Sequence, residues 1–303
     1  MATEKIGNVL IVDDEAIIRE MLQIELDEEY NVFTAEDAST AFNVLKENSI
    51  DLVISDINMP GMMGFELLRK VKENYPGSKT ALITAYNVND YIRMAKENDI
   101  SNIISKSTPF NFDEFDSIVR NLVTEQIFGL DHYMLPDYKV LGEYTILSSD
   151  KINDVETGII EIISTFTKTE PFINILLEEL ITNAIYHAPV DIEGKEKYIK
   201  HSKVQLDESE AVKVCLGRDS EKYGVSVLDT SGKLTKEQAL FKIDRHIHGE
   251  GLLDEDGRGL HMSRIYSDRF IINIKKNIAT EAIFLNYLNE KYIGSKPLFI
   301  NEL

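Results

Sequence analysis

The chain of 303 residues has a single cysteine, Cys215. One thiol excludes an intrachain disulfide and fits a reducing, cytoplasmic setting. Positive charge is also scarce: Lys and Arg total 32 against 52 Asp and Glu, for a formal net charge of -20. Nucleic acids are held by clustered Lys and Arg, so this balance disfavours a DNA- or RNA-binding output. No apolar run approaches the ~18 residues of a membrane-spanning helix. The start, MATEKIGNVLIV, lacks the cationic region and apolar core of a signal peptide. Internal repeats and low-complexity tracts are missing too. What is present is ordinary for a globular chain, 43% hydrophobic and 28% charged. At roughly 150 residues per domain, this length predicts two domains, each with its own core.

In the first part, short apolar runs end in polar groups. Residues 6–12 lead into Asp13-Asp14-Glu15, 51–55 into Asp56, 80–83 into Thr84, and 100–104 end near Lys106. Runs this short, apolar on both faces, predict buried parallel strands. Helical patterns lie between them: Ile18, Met21, Leu22 and Leu26 share one face, as do Phe65, Leu68 and Val71. Alternating strands and helices to about residue 120 predict an α/β fold with a doubly wound parallel sheet. Chemistry in such sheets sits at the carboxyl ends of the strands, where Asp13, Asp14, Asp56, Thr84 and Lys106 all fall. Any one of these aspartates alone reads as a helix cap or a solvated loop residue. Together they form a constellation. Converging carboxylates repel unless a cation joins them, and Mg2+ takes a few carboxylates while keeping phosphate or water oxygens. A carboxylate beside it can accept a phosphoryl group, with a hydroxyl and an ammonium holding the new oxygens.

VLIVDDE, VISDINMPGMMG, LITAY and ISKS, over about residues 5–124, resemble the signature blocks of two-component response-regulator receiver domains. The resemblance implies a flavodoxin-like fold with Asp56 as phosphoacceptor. It puts Asp14 on Mg2+ directly, Asp13 through water and Asn58 through its backbone carbonyl. Thr84 and Lys106 take the phosphoryl-sensing positions, and an upstream sensor histidine kinase is the implied phosphodonor. The chain departs from the family in two places. Lys106 is followed by Ser107-Thr108-Pro109 rather than by proline, and Ile103 stands where an aromatic switch residue is common.

Residues 111–126 read as a last amphipathic helix, with Phe112, Phe115, Ile118, Val119 and Leu122 on its apolar face. Gly129, Pro136 and Gly142 then punctuate an apolar stretch, predicting a packed linker over 125–142 and a second domain over 143–303. There EYTILSS alternates like a strand, and 152–166 and 171–187 read as helices, the second turning Phe172, Ile175, Leu176, Leu180 and Ala184 inward. Glu179, Asn183 and His187, four apart, share one face of that helix. A solvated edge accounts for such a stripe; so does a carboxylate that orients a nucleophile beside an amide oxygen on Mg2+. Two strand-like runs lead to Asp229-Thr230-Ser231-Gly232, where a carboxylate past a strand end suits an exocyclic amine. Gly257-x-Gly259 opens a helix whose amino end suits phosphate. Between the glycine sites, His246, His248, Gly249 and Gly251 suggest a mobile lid; His-x-His has no third metal ligand nearby.

ELITNAIYHA, DTSG, GRGLHM and ATEAIFLNYL, in this order over about residues 143–288, resemble the histidine-kinase-like (GHKL) ATPases. The spelling is nearest the bacterial anti-sigma-factor serine kinases. This resemblance implies an α/β sandwich that binds ATP, with Asn183 on Mg2+ and Glu179 as activating base. Asp229 would meet adenine with Gly232 beside it, Gly257 and Gly259 would face phosphates, and Thr280 would occupy the last box. A charged stretch at 189–210 is longer than that branch normally carries and reads as a charge-rich surface hairpin, with a partner-binding addition as the alternative.

His132, before Pro136, lacks the helix pair of a histidine-kinase phosphoacceptor. The expected function is therefore a response regulator phosphorylated on Asp56 that controls an ATP-dependent, serine/threonine-kinase-like output. Its expected partner is an anti-anti-sigma or sigma factor, and both resemblances imply a homodimer. Two rivals stand beside it: an ATP-holding switch that sequesters a regulator without transferring phosphate, and a histidine kinase acting on a separate phosphotransfer protein.

Overall fold

The computed structural model describes residues 4–168, 171–250, 258–288 and 294–303. The chain divides into two compact units. The first runs to Ile127 and takes in 294–298; the second begins at Phe128 and includes Phe299–Leu303.

The first unit is a five-stranded parallel sheet in the order β2-β1-β3-β4-β5. Its strands are β1 (Asn8–Val12), β2 (Asn31–Ala35), β3 (Leu52–Asp56), β4 (Lys79–Thr84) and β5 (Asn102–Ser105). The helices are α1 (Ala16–Leu26), α2 (Ala38–Glu47), α3 (Gly64–Asn74), α4 (Ile92–Glu97) and α5 (Phe112–Thr124). This is the doubly wound, flavodoxin-like order. Every residue of β3 and β5 is buried, as expected for strands covered on both faces. Phe65, Leu68 and Val71 of α3 are at most 2% exposed, each contributing roughly 1.5–3 kcal/mol of burial. At the other end of α3's entry, Gly64 lies so close to β3 that a Cβ would stand 2.1 Å from the Asp56 carbonyl oxygen. Only glycine fits where α3 meets the strand end.

The second unit is a mixed sheet in the order β11-β9-β10-β8-β7-β6. Its strands are β6 (Lys139–Ile146), β7 (Val212–Arg218), β8 (Lys222–Asp229), β9 (Arg269–Lys275), β10 (Ala279–Tyr287) and β11 (Leu298–Glu302). All pairs are antiparallel except β11 with β9. With it pack α6 (Ile152–Ser164), α7 (Phe172–Thr182), α8 (Lys236–Ile247) and α9 (Arg258–Tyr266).

Three expectations are corrected here. The stretch 125–142 is no separate linker: from Phe128 it belongs to the second unit, Lys139–Gly142 already lie in β6, and Leu130 and Tyr133 are each 3% exposed. Its apolar side chains pack on the sheet because they have no other way to leave water. The second domain's range 143–303 is corrected at its far end as well, since 294–298 group with the first unit. There Ser295 Oγ accepts from Val88 N–H at 2.6 Å. On α7, Ile175 is 46% exposed and Phe172 half-buried; the inward stripe is Ile173, Leu176, Leu177, Leu180, Ile181 and Ala184.

The former linker is fixed by a buried polar network. Glu281, 3% exposed on β10, accepts from Gly129 N–H at 2.9 Å, Ser226 Oγ at 2.5 Å and Asn273 Nδ2 at 3.1 Å. Tyr133 Oη donates to Asn273 Oδ1 at 2.9 Å. Burial pushes the Glu281 carboxyl up, against the pull of these donors. Because its proton is held more tightly in the folded chain, stability falls as pH rises from the ordinary carboxylate range through the raised pKa. Glu281→Ala, which leaves three donors unmet, is expected to cost about 3 kcal/mol in urea unfolding. Glu281→Gln is expected to flatten the wild-type decline in urea midpoint between pH 4 and pH 7; an unchanged slope contradicts this account.

Candidate functional site

In the first unit the parallel strands deliver their ends to one place. Asp13 follows β1, Asp56 closes β3, Thr84 closes β4 and Lys106 follows β5. Asp13 and Thr84 are fully buried and Asp56 is 8% exposed. The Lys106 ammonium bridges both carboxylates, at 2.7 Å from Asp13 Oδ2 and 2.5 Å from Asp56 Oδ1. Burial holds the Asp13 carboxyl above its ordinary range although Lys106 pulls it down. Burial also works against the Lys106 ammonium, but the hydrogen bonds to Asp13 and Asp56 outweigh it and leave its pKa raised. The other Asp56 oxygen, Oδ2, accepts from Asn58 N–H at 2.6 Å. Lys106 N–H donates to the Thr84 carbonyl at 2.7 Å, and Thr84 Oγ1 accepts from Tyr86 N–H at 3.1 Å. Asp14 is exposed, and no group of three His, Cys, Asp or Glu among the described residues is arranged to hold a metal. The Lys106 ammonium supplies the counter-charge to Asp13 and Asp56. The Thr108–Pro109 bond is cis.

The second unit contains a cavity of about 640 Å³, a size that suits a small ligand. Glu179, Asn183, Asp229, Gly259 and Thr280 all line it. Asn183 opens a π-helical turn, Asn183–His187, that continues α7, a backbone irregularity frequent at functional sites. Asn183 Nδ2 donates to Glu179 Oε1 at 2.7 Å. Gly259 lies hard against that carboxylate, where a Cβ would come within 1.7 Å of Glu179 Oε1. Asp229 is 9% exposed at the end of β8 and accepts from Ser231 N–H at 2.9 Å and Ser231 Oγ at 2.6 Å. Burial raises its pKa despite these donors. Directly across the ladder stands Thr280, whose buried hydroxyl satisfies no hydrogen bond of good geometry among the described residues. Gly232, at φ +56°, permits the tight return: a Cβ would stand 2.3 Å from the Lys275 carbonyl. Gly257 and Gly251 lie outside the described residues.

Two readings of the intervening stretches change. The lid region is helical over Lys236–Ile247, started by a capping box between Thr235 and Gln238. His246 Nδ1 and His248 Nδ1 each meet a carbonyl of their own helix, Lys242 O at 2.8 Å and Asp244 O at 3.0 Å, which uses the imidazoles locally. The charged stretch 189–210 also does more than form a surface hairpin, because Val190, Gly194, Glu196 and Lys200 line the cavity. Sequence reasoning missed Lys200, Phe241, Lys242 and Arg245 as lining residues. Spacing gave no signal for Lys200; the Phe241-Lys242 pair on an amphipathic helix between the two glycine sites was such a signal.

Residues 9–120 match the family described as response regulator receiver domain. The chain is 33% identical to sporulation initiation phosphotransferase F of Bacillus subtilis over 121 residues, which is 40% of this chain and 94% of that protein. It is 30% identical to Histidine kinase P4 of Formosa agariphila over 147 residues, 48% of this chain. The chain spans 11% of that protein's length and 26% of the hydrogenase transcriptional regulatory protein HoxA of Cupriavidus necator. The solved signal receiver domain of an HD domain-containing protein from Pseudomonas fluorescens is 30% identical, covering 42% of this chain and 93% of that one, with a TM-score of 0.37.

The Lys106 bridge has a direct consequence. Lys106→Ala leaves two buried carboxylates without a cation, at an expected cost of about 3 kcal/mol at pH 7. Burial already holds the Asp13 carboxyl above its ordinary range, so as pH falls to about 4 it takes up a proton and the deficit against wild type should shrink. Paired urea titrations at the two pH values check both; an equal deficit at each pH contradicts the charge argument.

Proposed function

Because the chain belongs to the response regulator receiver family, we propose that it takes a phosphoryl group on Asp56 and uses that event to control an ATP-binding output unit. Receiver domains draw the phosphoryl group from a sensor kinase and use Mg2+ in the transfer. The donor set fits that ion: two buried carboxylates, Asp13 and Asp56, share one cation already, and Mg2+ takes one or two carboxylates plus phosphate and water oxygens. Asp14 and the Asn58 carbonyl would complete the site. The ion would supply charge neutralisation at the transferring phosphoryl group. The Asp56 carboxylate oxygen would form the new bond to phosphorus as the N–P bond of the donor's phosphohistidine breaks, and the leaving imidazole would take a proton from solvent. Thr84 Oγ1 and Lys106 Nζ would hold the new phosphoryl oxygens; in support, Thr84 ends β4 and Lys106 follows the neighbouring β5.

The output reading rests on one observation: a cavity of about 640 Å³ joins Asp229 and Thr280 to the Glu179–Asn183–Gly259 cluster. An exocyclic amine donates two hydrogens, and the buried Asp229 carboxylate with the Thr280 hydroxyl directly across the ladder can meet them. The residues therefore fit an adenine at that end. Asn183 would hold Mg2+ with the phosphates, and Gly257 and Gly259 would face the phosphates. Glu179 would receive the proton of a serine or threonine hydroxyl on a protein partner of the anti-anti-sigma kind. The alternative, an ATP-holding switch that transfers nothing, has its own support, because Glu179 Oε1 is already engaged by the Asn183 amide.

Incubation with acetyl phosphate and Mg2+ should add one phosphoryl group to wild type and none to Asp56→Asn, read by intact mass; chelation of Mg2+ should abolish the addition. A fluorescent ATP analogue with Mg2+ should bind wild type, lose at least tenfold in affinity in Asp229→Ala and Asn183→Ala, and change affinity with beryllofluoride. A wild-type chain that binds no analogue sinks the ATP reading. Acid-stable phosphate on a partner selects the kinase, and binding without transfer selects the switch.

A further inference from the structure

The charged stretch after the π-helical turn carries a cation into the cavity. Residues that line the cavity include four cationic side chains, Lys200, Lys233, Lys242 and Arg245, in a chain with a net charge of -20. Two of the four have local partners. Lys233 Nζ reaches Asn277 Oδ1 at 3.3 Å, and Arg245 binds the Glu250 carbonyl at 3.1 Å over the Phe241 ring. Lys200 and Lys242 are different: both are half-buried and neither forms an ion pair among the described residues, and of the two only Lys200 stands on the charged stretch 189–210.

Its segment is fastened at several points. Val190 bridges Glu196, and His187 Nδ1 lies 2.8 Å from Glu196 Oε1. Tyr198 Oη donates to Glu210 Oε2 at 2.7 Å, two residues before Lys200. Tyr186 Oη donates to the Ser202 carbonyl at 2.9 Å, two residues after it. Tyr186 and His187 belong to the same turn as Asn183. A half-buried ammonium held this way loses hydration and gains little until an anion arrives. The proposed adenine end of the cavity is Asp229 and Thr280, on β8 and β10, whereas the Lys200 segment is tied to the Asn183–His187 turn.

We infer that Lys200 is a specificity-determining contact for the anionic tail of a nucleotide, so that the 189–210 stretch makes the cavity select nucleoside triphosphate over nucleoside. The inference rests on the ATP reading and deepens it. Charge-assisted hydrogen bonds to phosphate are strong, and Lys200 meets the ligand only where phosphate is present.

The test uses the full chain with Mg2+ and measures ATP, ADP and adenosine affinities by calorimetry. Lys200→Gln should weaken ATP about tenfold and leave adenosine unchanged. Lys200→Arg should restore most of the loss. Lys195→Gln, on the same stretch but outside the cavity lining, should match wild type and control for the fold. Equal affinities in wild type and Lys200→Gln overturn the inference while leaving ATP binding intact. A parallel loss of adenosine and ATP also overturns it, since it marks collapse of the cavity wall. If wild type binds none of the three, the ATP reading itself fails, and Lys200 with it.

Discussion

A carboxylate removed from water needs a counter-charge, and the first unit is organised around that requirement. Parallel strands place Asp13 and Asp56 almost wholly out of water, and the same topology brings Lys106, just past β5, to within 2.7 Å of both. Desolvation opposes every charge in the trio, and its members offset this for one another. A phosphoryl group on Asp56 would redraw that balance, replacing one carboxylate charge with a phosphoryl group of up to two beside a single ammonium. Lys106 would then have to choose between Asp13 and the new oxygens. A choice of this kind is discrete, which is what makes a charge site into a switch.

The second unit meets the opposite problem. Its surroundings are acidic, yet its cavity gathers lysines and an arginine among Glu179, Glu196 and Asp229. Mixed signs within one cavity divide it by chemistry. The buried Asp229, whose carboxyl burial pushes up, favours a neutral donor such as an amine, whereas the cationic side chains favour oxygen anions. A ligand with a heterocycle at one end and phosphates at the other satisfies both. Net repulsion from the rest of the protein also discourages anions that bind only by charge.

What could be read in the sequence follows from how local each signal is. Asp13, Asp56, Thr84 and Lys106 announce themselves because each ends a short apolar run, and a parallel sheet turns that one-dimensional fact into proximity. Glu179 and Asn183 are equally legible, four residues apart on one helix and 2.7 Å apart in space. By contrast β2 left little trace: it is an edge strand, Asn31–Ala35, with a mostly half-exposed pattern rather than an apolar run. Ile175 misled because a helix rich in apolar residues has more than one plausible inward face. Lys200 and Gly129 were unreadable for a third reason, since their roles come from contacts with residues distant in the chain. No window of sequence contains such a pairing.

The hydrogen bond from Gly129 to Glu281 also fixes where the two halves of this chain can be exchanged. A fragment beginning at 143 would lose Leu130 and Tyr133 from its core and leave Glu281 and Asn273 each short of a partner. The natural seam lies instead between Ile127 and Phe128. Exchange of the first unit would therefore leave the 128–142 stretch with the second. In that sense the segment is the leading edge of the second unit, inherited with it, and the point of fusion is narrower than the composition of the join suggests.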